Sequence, residues 1–316
     1  MVKSFKPLIE KNRLRAAKKI PDFKSICFLD IGAADNIGER WSSFRSLITY
    51  FGFEPDARSR KELDVQLKGF FKKGTIFSKG AWSNEKTIQI NLTQKPQVSS
   101  FFKPNEKFLS NFRDVNRFKV TKVEEMEVLR VDSLDLPPLD FIKLDIQGGE
   151  LEALKGARKA LKNVMGIECE VEFYPLYDGQ PLFGEVADYL SKKGFAFIDF
   201  VSLARWDRKL RSGLGQCVAA DAFFIRLPED IDWKKMTNEK IANYIFILFV
   251  YQRFDLIDKT FDMLAANGLY SSRAWLSFKK EVEALARVRK LANSLLHLIS
   301  RIFRFLGFNF KAYLIY

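Results

Sequence analysis

The sequence has little of what builds a disulfide framework. Its 316 residues include three cysteines, and no two of them have Cys-x-x-Cys spacing. Three scattered cysteines cannot close a full set of disulfides, so we expect the chain to work in a reducing compartment. Glycine and proline are also sparse, at 17 and 10 residues, and no short period recurs. Collagen-like and low-complexity chains are therefore excluded.

Long apolar runs are missing as well. The longest uninterrupted one, Tyr244–Tyr251, is far shorter than the ~20 residues that a membrane-spanning helix requires. The N-terminus carries charges but no apolar run followed by a small-residue cleavage site, so we predict no signal peptide. Together these features predict a cytoplasmic protein.

Positive charge is concentrated at the two ends of the chain. The formal net charge is +13, yet residues 1–25 hold eight basic and two acidic residues and residues 234–316 hold fourteen and six. Residues 26–233 hold 30 basic and 31 acidic residues and are nearly neutral. This distribution argues against nucleic acid as a partner. It predicts instead that basic termini contact an anionic membrane peripherally, at its inner face.

Strand and helix patterns alternate through the central part of the chain. Such alternation predicts a parallel sheet with helices on both faces, and the last two strands lack a helix between them, which predicts an antiparallel last strand. The first strand begins near Ile26 and ends at Asp30. Further strands are predicted at 48–53, 75–82, 140–146, 164–173, 194–200 and 218–226, helices at 39–48, 150–161 and 183–193, and a polar insertion at 94–127.

The sequence therefore divides into three predicted regions. A basic arm or helix (1–25) precedes an α/β domain (26–228), and an all-helical extension (229–316) follows. Helices are predicted at 237–251, 255–266 and 271–306. Asn267-Gly268 is a favourable C-cap for the middle one.

A glycine-containing turn, Asp30 to Gly38, follows the first strand. Glu54 ends the second strand 22 residues after Gly32, where it can accept hydrogen bonds from two ribose hydroxyls. No glycine stands two positions after Gly32, so the dinucleotide fingerprint G-x-G-x-x-G is not met. The pattern predicts a nucleoside cofactor without room for a pyrophosphate.

Three carboxylates share one face of the strand at 164–173, because Glu168, Glu170 and Glu172 alternate with apolar residues. They repel one another unless water, a basic side chain or a divalent cation neutralises them. Asp145 on the adjoining strand could join Glu168 and Glu170 in an all-oxygen site that suits Mg²⁺. A solvated strand end beyond the edge of the sheet is the alternative.

Two charged residues flank Asp145 in the sequence. Lys143 lies on the same strand face, and since an unpaired buried lysine is costly, we predict an ion-pair partner for it. Glu150 stands in the first turn of the next helix. It could cap that helix or take part in a site, and both interpretations stay open.

Several motifs make the chain similar to a known family, the S-adenosylmethionine-dependent methyltransferases of the FkbM type, over roughly residues 26–227. They are DIGAADNIG (30–38), FEP (53–55), AWSNEK (81–86), VDSLD (131–135), DFIKLDIQGGELEALKGA (140–157) and ECEVEFYPLYDGQPLFGEVADYLSKKGF (168–195). The resemblance implies a Rossmann-like class I methyltransferase with a seven-stranded, mostly parallel sheet. It also implies O-methylation of a hydroxyl on a sugar, glycan or related metabolite.

The resemblance carries over residue by residue to a cofactor site for S-adenosylmethionine. It implies that Asp30, Gly32, Ala33 and Gly38 surround the methionine part, that Glu54 binds the ribose, and that Trp82 and Ser83 lie near the adenine. The sequence departs from many members in having Gln147 in place of Glu and in adding about 85 residues after the domain. A catalytically inactive membrane-associated or assembly protein is the alternative function, and a nucleic-acid methyltransferase is a third.

Methyl transfer to oxygen requires removal of the hydroxyl proton, and histidine is nearly absent. His297, the only one, falls on the predicted polar face of the last helix. The base must then be a carboxylate, or a metal must lower the pKa of the hydroxyl. The candidate catalytic residues are Asp145, Glu170 and Glu172, while Tyr174 and Tyr177 would shape the acceptor pocket.

The last predicted helix has one basic and one apolar face between Arg287 and Leu306. Its polar face carries Arg287, Lys290, Asn293, Ser294, His297, Arg301 and Arg304, and its apolar face carries Leu291, Leu295, Leu298, Ile299, Ile302 and Leu306. Such a helix either docks on another helix, within the chain or in a homo-oligomer, or lies on an anionic membrane. Phe303, Phe305, Phe308 and Phe310 favour an interface of some kind.

Overall fold

A computed structural model describes residues 12–35, 37–67, 71–208, 210, 215–269 and 272–305. The chain divides into two compact units. Lys24–Leu227 form one, named here the sheet unit. Residues up to Phe23, together with those from Pro228 onward, form the other, the helical unit.

Seven strands of the sheet unit form one sheet in the order β3-β2-β1-β7-β8-β10-β9. All neighbours from β3 to β8 are parallel, whereas β10 runs antiparallel to both β8 and β9. The predicted antiparallel last strand is therefore confirmed. The strands are β1 Ile26–Ile31, β2 Ile48–Phe53, β3 Lys73–Phe77, β4 Gly80–Ala81, β5 Lys86–Thr93, β6 Val120–Leu129, β7 Phe141–Leu144, β8 Gly166–Glu172, β9 Ala196–Trp206 and β10 Gln216–Ile225.

The central strands are apolar because both faces of the sheet are covered. Every residue of β7 is buried, and so is every residue of β1 except Cys27. On one face of the sheet, Leu29 and Ile31 of β1 and Ile142 and Leu144 of β7 belong to one core cluster with side chains of the helix after β7. Such burial explains why these segments read as continuous apolar runs.

The predicted polar insertion is a folded element. Strands β4, β5 and β6 form a second, three-stranded sheet in the order β4-β6-β5. Along β6 the charged residues Lys122, Glu125 and Glu127 are exposed, whereas Val128 near its end is buried. The prediction of a strand at 75–82 was partly wrong, because that segment breaks into β3 and β4 of two different sheets.

Helix lengths differ from the predictions mainly in the sheet unit. The helix predicted at 39–48 is only one turn, and a polar helix at 57–67 was missed. The helices are α1 at residues 12–17, α2 Glu39–Ser42, α3 Ala57–Leu67, α4 Glu106–Leu109, α5 Glu150–Gly156, α6 Phe183–Ser191, α7 Asn238–Val250, α8 Phe254–Ala266 and α9 Arg273–Phe305.

The helical unit is built around α7, whose residues from Ile241 to Val250 are all buried. The first half of α9 packs on α8, with Trp275 and Phe278 against Phe261. Gly268 has a φ of +72°, which confirms the predicted C-cap of α8. None of the helices in the described part of the chain is long and apolar enough to cross a membrane. The side chains of His297 and of the four phenylalanines from Phe303 onward lie outside the described residues.

Candidate functional site

A cleft opens at the carboxyl ends of β1, β2 and β7. Its walls come from the turn after β1, from Glu54 and its neighbours after β2, from residues 145–147 after β7, and from the insertion at Pro96, Gln97, Ser99, Ser100 and Phe101. Ligands of open α/β sheets bind at this edge. The enclosed volume is about 50 Å³, below the ~300–1,000 Å³ of typical ligand sites. A nucleoside therefore needs more room than the cleft has in this structure.

At Gly32 the turn after β1 packs directly against the end of β7. Its φ is +89°, and a Cβ at this position would lie 1.8 Å from the backbone oxygen of Asp145. Its N–H donates to Phe53 O at 3.0 Å. A side chain at position 32 would push the strand ends apart. Glycine therefore allows the close backbone packing at the base of the cleft.

Glu54 is the buried carboxylate at the end of β2. Its Oε1 accepts a hydrogen bond from Asp56 N at 2.8 Å, and Arg60 donates to its backbone oxygen at 2.9 Å. Burial raises the pKa of Glu54 to about 7, because desolvation outweighs this N–H bond and the attraction of Arg60. Hydroxyl donors from a ligand would replace part of the hydration that the carboxylate has lost.

Asp30 lies beneath the cleft rather than among its lining residues. It is fully buried, accepts a hydrogen bond from Tyr50 Oη at 2.8 Å, and has Lys143 Nζ 3.7 Å from its Oδ1. The same Nζ is 3.7 Å from Asp145 Oδ2, so the predicted ion-pair partners of Lys143 are confirmed. Burial raises the pKa of Asp30 to about 6, although Lys143 and Tyr50 oppose the shift.

Gln147 connects the carboxylates of β7 and β8. Its Nε2 donates to Asp145 Oδ1 at 3.1 Å and to Glu170 Oε2 at 2.5 Å, while its Oε1 accepts from Tyr177 Oη at 2.8 Å. The residue has a φ of +56°, and its backbone oxygen accepts from Ser100 Oγ of the insertion. Desolvation and the charges of Asp145 and Glu172 raise the pKa of Glu170 well above its usual range.

Two more buried carboxyls lie behind this pair. Glu150 accepts a hydrogen bond from Ile146 N at 2.7 Å, and burial raises its pKa to about 7. Burial and the charge of Glu150 likewise raise the pKa of Glu172. The Gln180 side chain interacts with Glu172 by hydrogen bonding and opposes this rise. The region is a group of buried carboxyls that titrate together.

The structure does not support the predicted Mg²⁺ site at Asp145, Glu168 and Glu170. The described residues contain no group of three or more histidine, cysteine or acidic side chains that could hold a metal ion. The amide N–H of Gln147 occupies the position between Asp145 and Glu170 that a cation would fill. Glu168 is directed instead to Arg40, with Oε2 3.9 Å from its Nε.

The other residues predicted to bind the cofactor lie outside the lining of the cleft. Ala33 is fully buried, and Gly38 is the N-cap of α2 with a φ of +79°. The Trp82 ring packs against Phe101, at 5.2 Å between ring centroids. The Ser83 hydroxyl donates to Glu152, in a separate polar cavity. Of the predicted set, Gly32 and Glu54 line the cleft and the others do not. The cofactor contacts of all these residues stay predictions.

The sequence did not identify which residues of the insertion reach the cleft. Gln97 is one of its lining residues, and its Oε1 is a buried acceptor without a hydrogen-bond partner in the described part of the chain. Ser99 and Ser100 lie beside it. No spacing in the sequence links these residues to Glu54, because their proximity comes from packing of the second sheet.

The seven-stranded sheet with antiparallel β10, and a ligand cleft at the ends of its parallel strands, define a Rossmann-like class I methyltransferase. The model of the FkbM methyltransferase domain family matches residues 30–197. The chain belongs to the FkbM methyltransferase family. Family and fold together support methyl transfer from S-adenosylmethionine. No curated protein sequence matches the chain.

Solved structures with similarity to the chain include three methyltransferases. The FkbM methyltransferase of Methylobacillus flagellatus KT is 18% identical with a TM-score of 0.39, and the match covers 64% of this chain but only 44% of that protein. Magnesium protoporphyrin IX methyltransferase of Synechocystis PCC 6803, with bound S-adenosylmethionine, is 7% identical with a TM-score of 0.36 over 71% and 81% of the two chains. The precorrin-6y C5,15-methyltransferase of Geobacter metallireducens GS-15 is 13% identical with a TM-score of 0.35 over 67% and 86%.

Proposed function

We propose that the protein transfers a methyl group from S-adenosylmethionine to a hydroxyl of a sugar, glycan or related metabolite. The observation that carries the proposal is the cleft that places Glu54 and Asp145 at the ends of strands in one sheet, on either side of Gly32. Glu54 suits ribose hydroxyls, and Asp145 suits the proton of an acceptor hydroxyl.

The residues of the cleft fit the cofactor by their chemistry. Glu54 is a buried carboxylate with one backbone N–H partner, so it can accept further hydrogen bonds. The unfilled Oε1 of Gln97 offers a second acceptor for a cofactor N–H or O–H. When bound, S-adenosylmethionine supplies an electrophilic methyl group on a sulfonium sulfur. Gly32 and Ala34 present backbone without bulky side chains at the cleft wall.

On the acceptor side, the linked carboxyls can take up a proton. Asp145 lines the cleft, and Gln147 ties it to Glu170, whose pKa is raised. Asp145 is the base in this proposal, and Glu170, whose carboxyl is hydrogen-bonded to that of Asp145, can share the transferred proton directly. Lys143 lies near Asp145 and opposes excessive build-up of negative charge.

The surroundings suit an acceptor that is rich in hydroxyls. The carboxyl of Asp145 and the amide of Gln147 line the cleft and can bind hydroxyl groups. Directly after β8, Tyr174 is 48% exposed and stacks on Phe108 with 4.8 Å between ring centroids. An exposed aromatic face beside convergent polar groups is typical of sites for polar small molecules.

The cofactor assignment can be tested by titration calorimetry with S-adenosylmethionine. We expect micromolar-range binding by the wild-type protein and a loss of about 100-fold or more for Glu54→Ala, because two ribose hydrogen bonds to a charged group disappear. Glu127→Ala removes an exposed glutamate of β6 and should bind like wild type. Equal binding by Glu54→Ala and wild type would remove the ribose assignment.

The acceptor class is tested by incubating the protein with S-adenosylmethionine and separate pools of sugars, glycans and RNA. We expect S-adenosylhomocysteine to form with a carbohydrate pool, and a product one methyl group heavier by mass spectrometry. Methylation confined to RNA would contradict the proposal in favour of a nucleic-acid methyltransferase. Absence of cofactor binding would favour an inactive assembly protein.

A further inference from the structure

Arg117 is a cation of the insertion that lies close to the cleft. It belongs to the short helical turn Val115–Phe118. Its backbone oxygen accepts a hydrogen bond from Lys95 N at 3.2 Å, and Lys95 directly precedes Pro96 and Gln97 of the cleft lining. The turn that carries Arg117 is therefore joined to the segment that forms one wall of the cleft.

The residue after Arg117 connects it to the acceptor side of the cleft. The Phe118 ring contacts the Tyr177 ring with 6.0 Å between centroids, and the Tyr177 hydroxyl lies 2.8 Å from Gln147 Oε1. Gln147 in turn donates to Asp145, the proposed base. Along this chain of contacts, two rings and one amide separate Arg117 from Asp145.

Two aromatic rings hold the guanidinium of Arg117 between them. Its Cζ lies 4.5 Å from the ring centroid of Trp206 and 5.0 Å from that of Phe118. Trp206 ends β9, which runs antiparallel to β10 and hence in the same direction as β8, so it lies at the edge of the sheet where the cleft opens. Aromatic stacking orients a guanidinium but leaves it without a counter-charge.

The guanidinium forms no hydrogen bond and no ion pair with any residue that the structure describes, and its Nε is buried. Burial lowers the pKa of Arg117, whereas the charges of Tyr177, Asp114 and Glu170 oppose the shift. Neither of these two carboxyls is close enough to pair with the cation. The guanidinium has therefore lost more hydration than its neighbours replace, and an anion that reaches it would gain a strong partner.

We propose that the acceptor is an acidic sugar whose carboxylate pairs with Arg117 while one of its hydroxyls lies at Asp145. This inference rests on the proposed methyl transfer, which supplies the acceptor hydroxyl. A carboxylate matches the planar guanidinium through two parallel hydrogen bonds, whereas a neutral sugar would leave the partly desolvated cation unpaired. The exposed ring of Tyr174, directly after β8, offers a surface on which the sugar ring can pack.

The test supplies the full chain and S-adenosylmethionine with three acceptor pools. They are oligosaccharides of glucuronic acid, the same oligosaccharides after reduction of their carboxylates to primary alcohols, and sugar phosphates. We expect kcat/KM to be at least about tenfold higher for the uronic acids than for either other pool. Equal rates with the reduced oligosaccharides, or a preference for sugar phosphates, would overturn the acidic-sugar assignment and leave the proposed function standing. No transfer to any pool would contradict the proposed function itself, and this inference with it.

Arg117→Gln tests the residue that carries the proposal. It should raise KM for the uronic acids about 10- to 100-fold, because a charge-assisted pair is lost. The KM for the reduced oligosaccharides and the affinity for S-adenosylmethionine by calorimetry should stay within about threefold. Lys119→Gln is the matched control, since Lys119 is an exposed cation two residues further along the same insertion. It should change either KM by less than about threefold.

Arg117→Lys keeps the charge without the planar fork, so it should raise KM for the uronic acids by less than Arg117→Gln does. Thermal unfolding monitored by circular dichroism checks that the variants fold, and the lysine variant carries the test if the glutamine variant does not. Equal effects of Arg117→Gln and Lys119→Gln would overturn the proposal, because diffuse charge would then explain the preference. An equal rise of KM for the acidic and the reduced oligosaccharides in Arg117→Gln would show a purely structural role and overturn it too.

Discussion

The two sides of the cleft differ in how many carboxyl groups they hold and in how these groups are neutralised. On the β2 side Glu54 has one backbone N–H on its carboxylate, the nearby Asp56 is paired with Arg58, and the pKa of Glu54, near 7, is set mainly by burial. On the β7–β8 side several carboxyls lie close together, with the Gln147 amide donating to Asp145 and Glu170 and with Lys143 paired with Asp145. A carboxylate with few acidic neighbours suits recognition of hydroxyl donors, whereas a crowded group of carboxyls can share protons. In the proposed function, the β2 side therefore recognises the cofactor and the β7–β8 side takes up the proton.

Asp145→Asn is expected to have the largest effect, and it changes only the β7–β8 side of the cleft. The amide keeps the shape of the side chain but cannot accept the proton, so we expect kcat to fall by about 10²- to 10⁴-fold. The affinity for S-adenosylmethionine should change less than about threefold, since the cofactor side is intact. Both quantities are measured on a carbohydrate acceptor, by S-adenosylhomocysteine release and by calorimetry.

Asp221→Asn is the matched control for that variant. Asp221 lies on β10 opposite Glu170, accepts a hydrogen bond from Ser202, and is outside the cleft lining. Its substitution should alter kcat by less than about tenfold. If Asp145→Asn and Asp221→Asn lose activity equally, Asp145 is not the base.

Gln147→Glu adds one more carboxylate to the crowded β7–β8 side of the cleft. Loss of the amide donor leaves Asp145 and Glu170 repelling a new neighbour, so we expect unfolding free energy to fall by about 1–3 kcal/mol at pH 8. Because the added carboxyl would lie among carboxyls whose pKa values are already raised, we expect its pKa to be raised in the folded state. The loss is therefore largest above that pKa and shrinks as pH falls through it, because a protonated carboxyl can again donate.

Urea denaturation at pH 8 and pH 5.5 measures this effect. Gln94→Glu, at an exposed position, should stay within about 0.5 kcal/mol of wild type at both pH values. A destabilisation by Gln147→Glu that is identical at the two pH values would argue against the carboxylate network.

The smallest expected effect is the pH dependence of cofactor binding. The pKa of Glu54 is about 7 in the folded protein, and its ionised form accepts ribose hydrogen bonds best. Affinity should therefore fall by up to about tenfold per pH unit as pH decreases below 7, and level off above it. Calorimetry from pH 5.5 to 8 measures the profile. Glu54→Gln should bind more weakly and without this slope, and a slope that survives in Glu54→Gln would point to another group.

The fold could be predicted from the sequence where local pattern and tertiary environment agree. Buried strands such as β1 and β7 are continuous apolar runs, and the three C-terminal helices have predicted bounds within two residues of those observed. Helix α3 was missed because its sequence, ARSRKELDVQL, is mostly polar and has little apolar periodicity. The second sheet was missed because exposed charged residues leave β6 with little apolar pattern.

The candidate site was predictable only where a residue ends a strand. Glu54 and Asp145 fall at such ends, and the structure places both in the cleft lining. Gln97 could not be found this way, because it reaches the cleft through an insertion whose packing no short spacing encodes. The role of Gln147 as a bridge also depends on Tyr177, thirty residues away in the chain.

The helical unit is assembled from both ends of the chain, and this has a consequence for biosynthesis. Arg13 and the carbonyl of Val250 that it contacts are 237 positions apart, a separation that translation covers in roughly 10–50 s. All of Lys24–Leu227 leaves the ribosome within that interval. The sheet unit can therefore fold before α7 is synthesised. Helix α1, in contrast, cannot pack on α7 until α7 has left the ribosome.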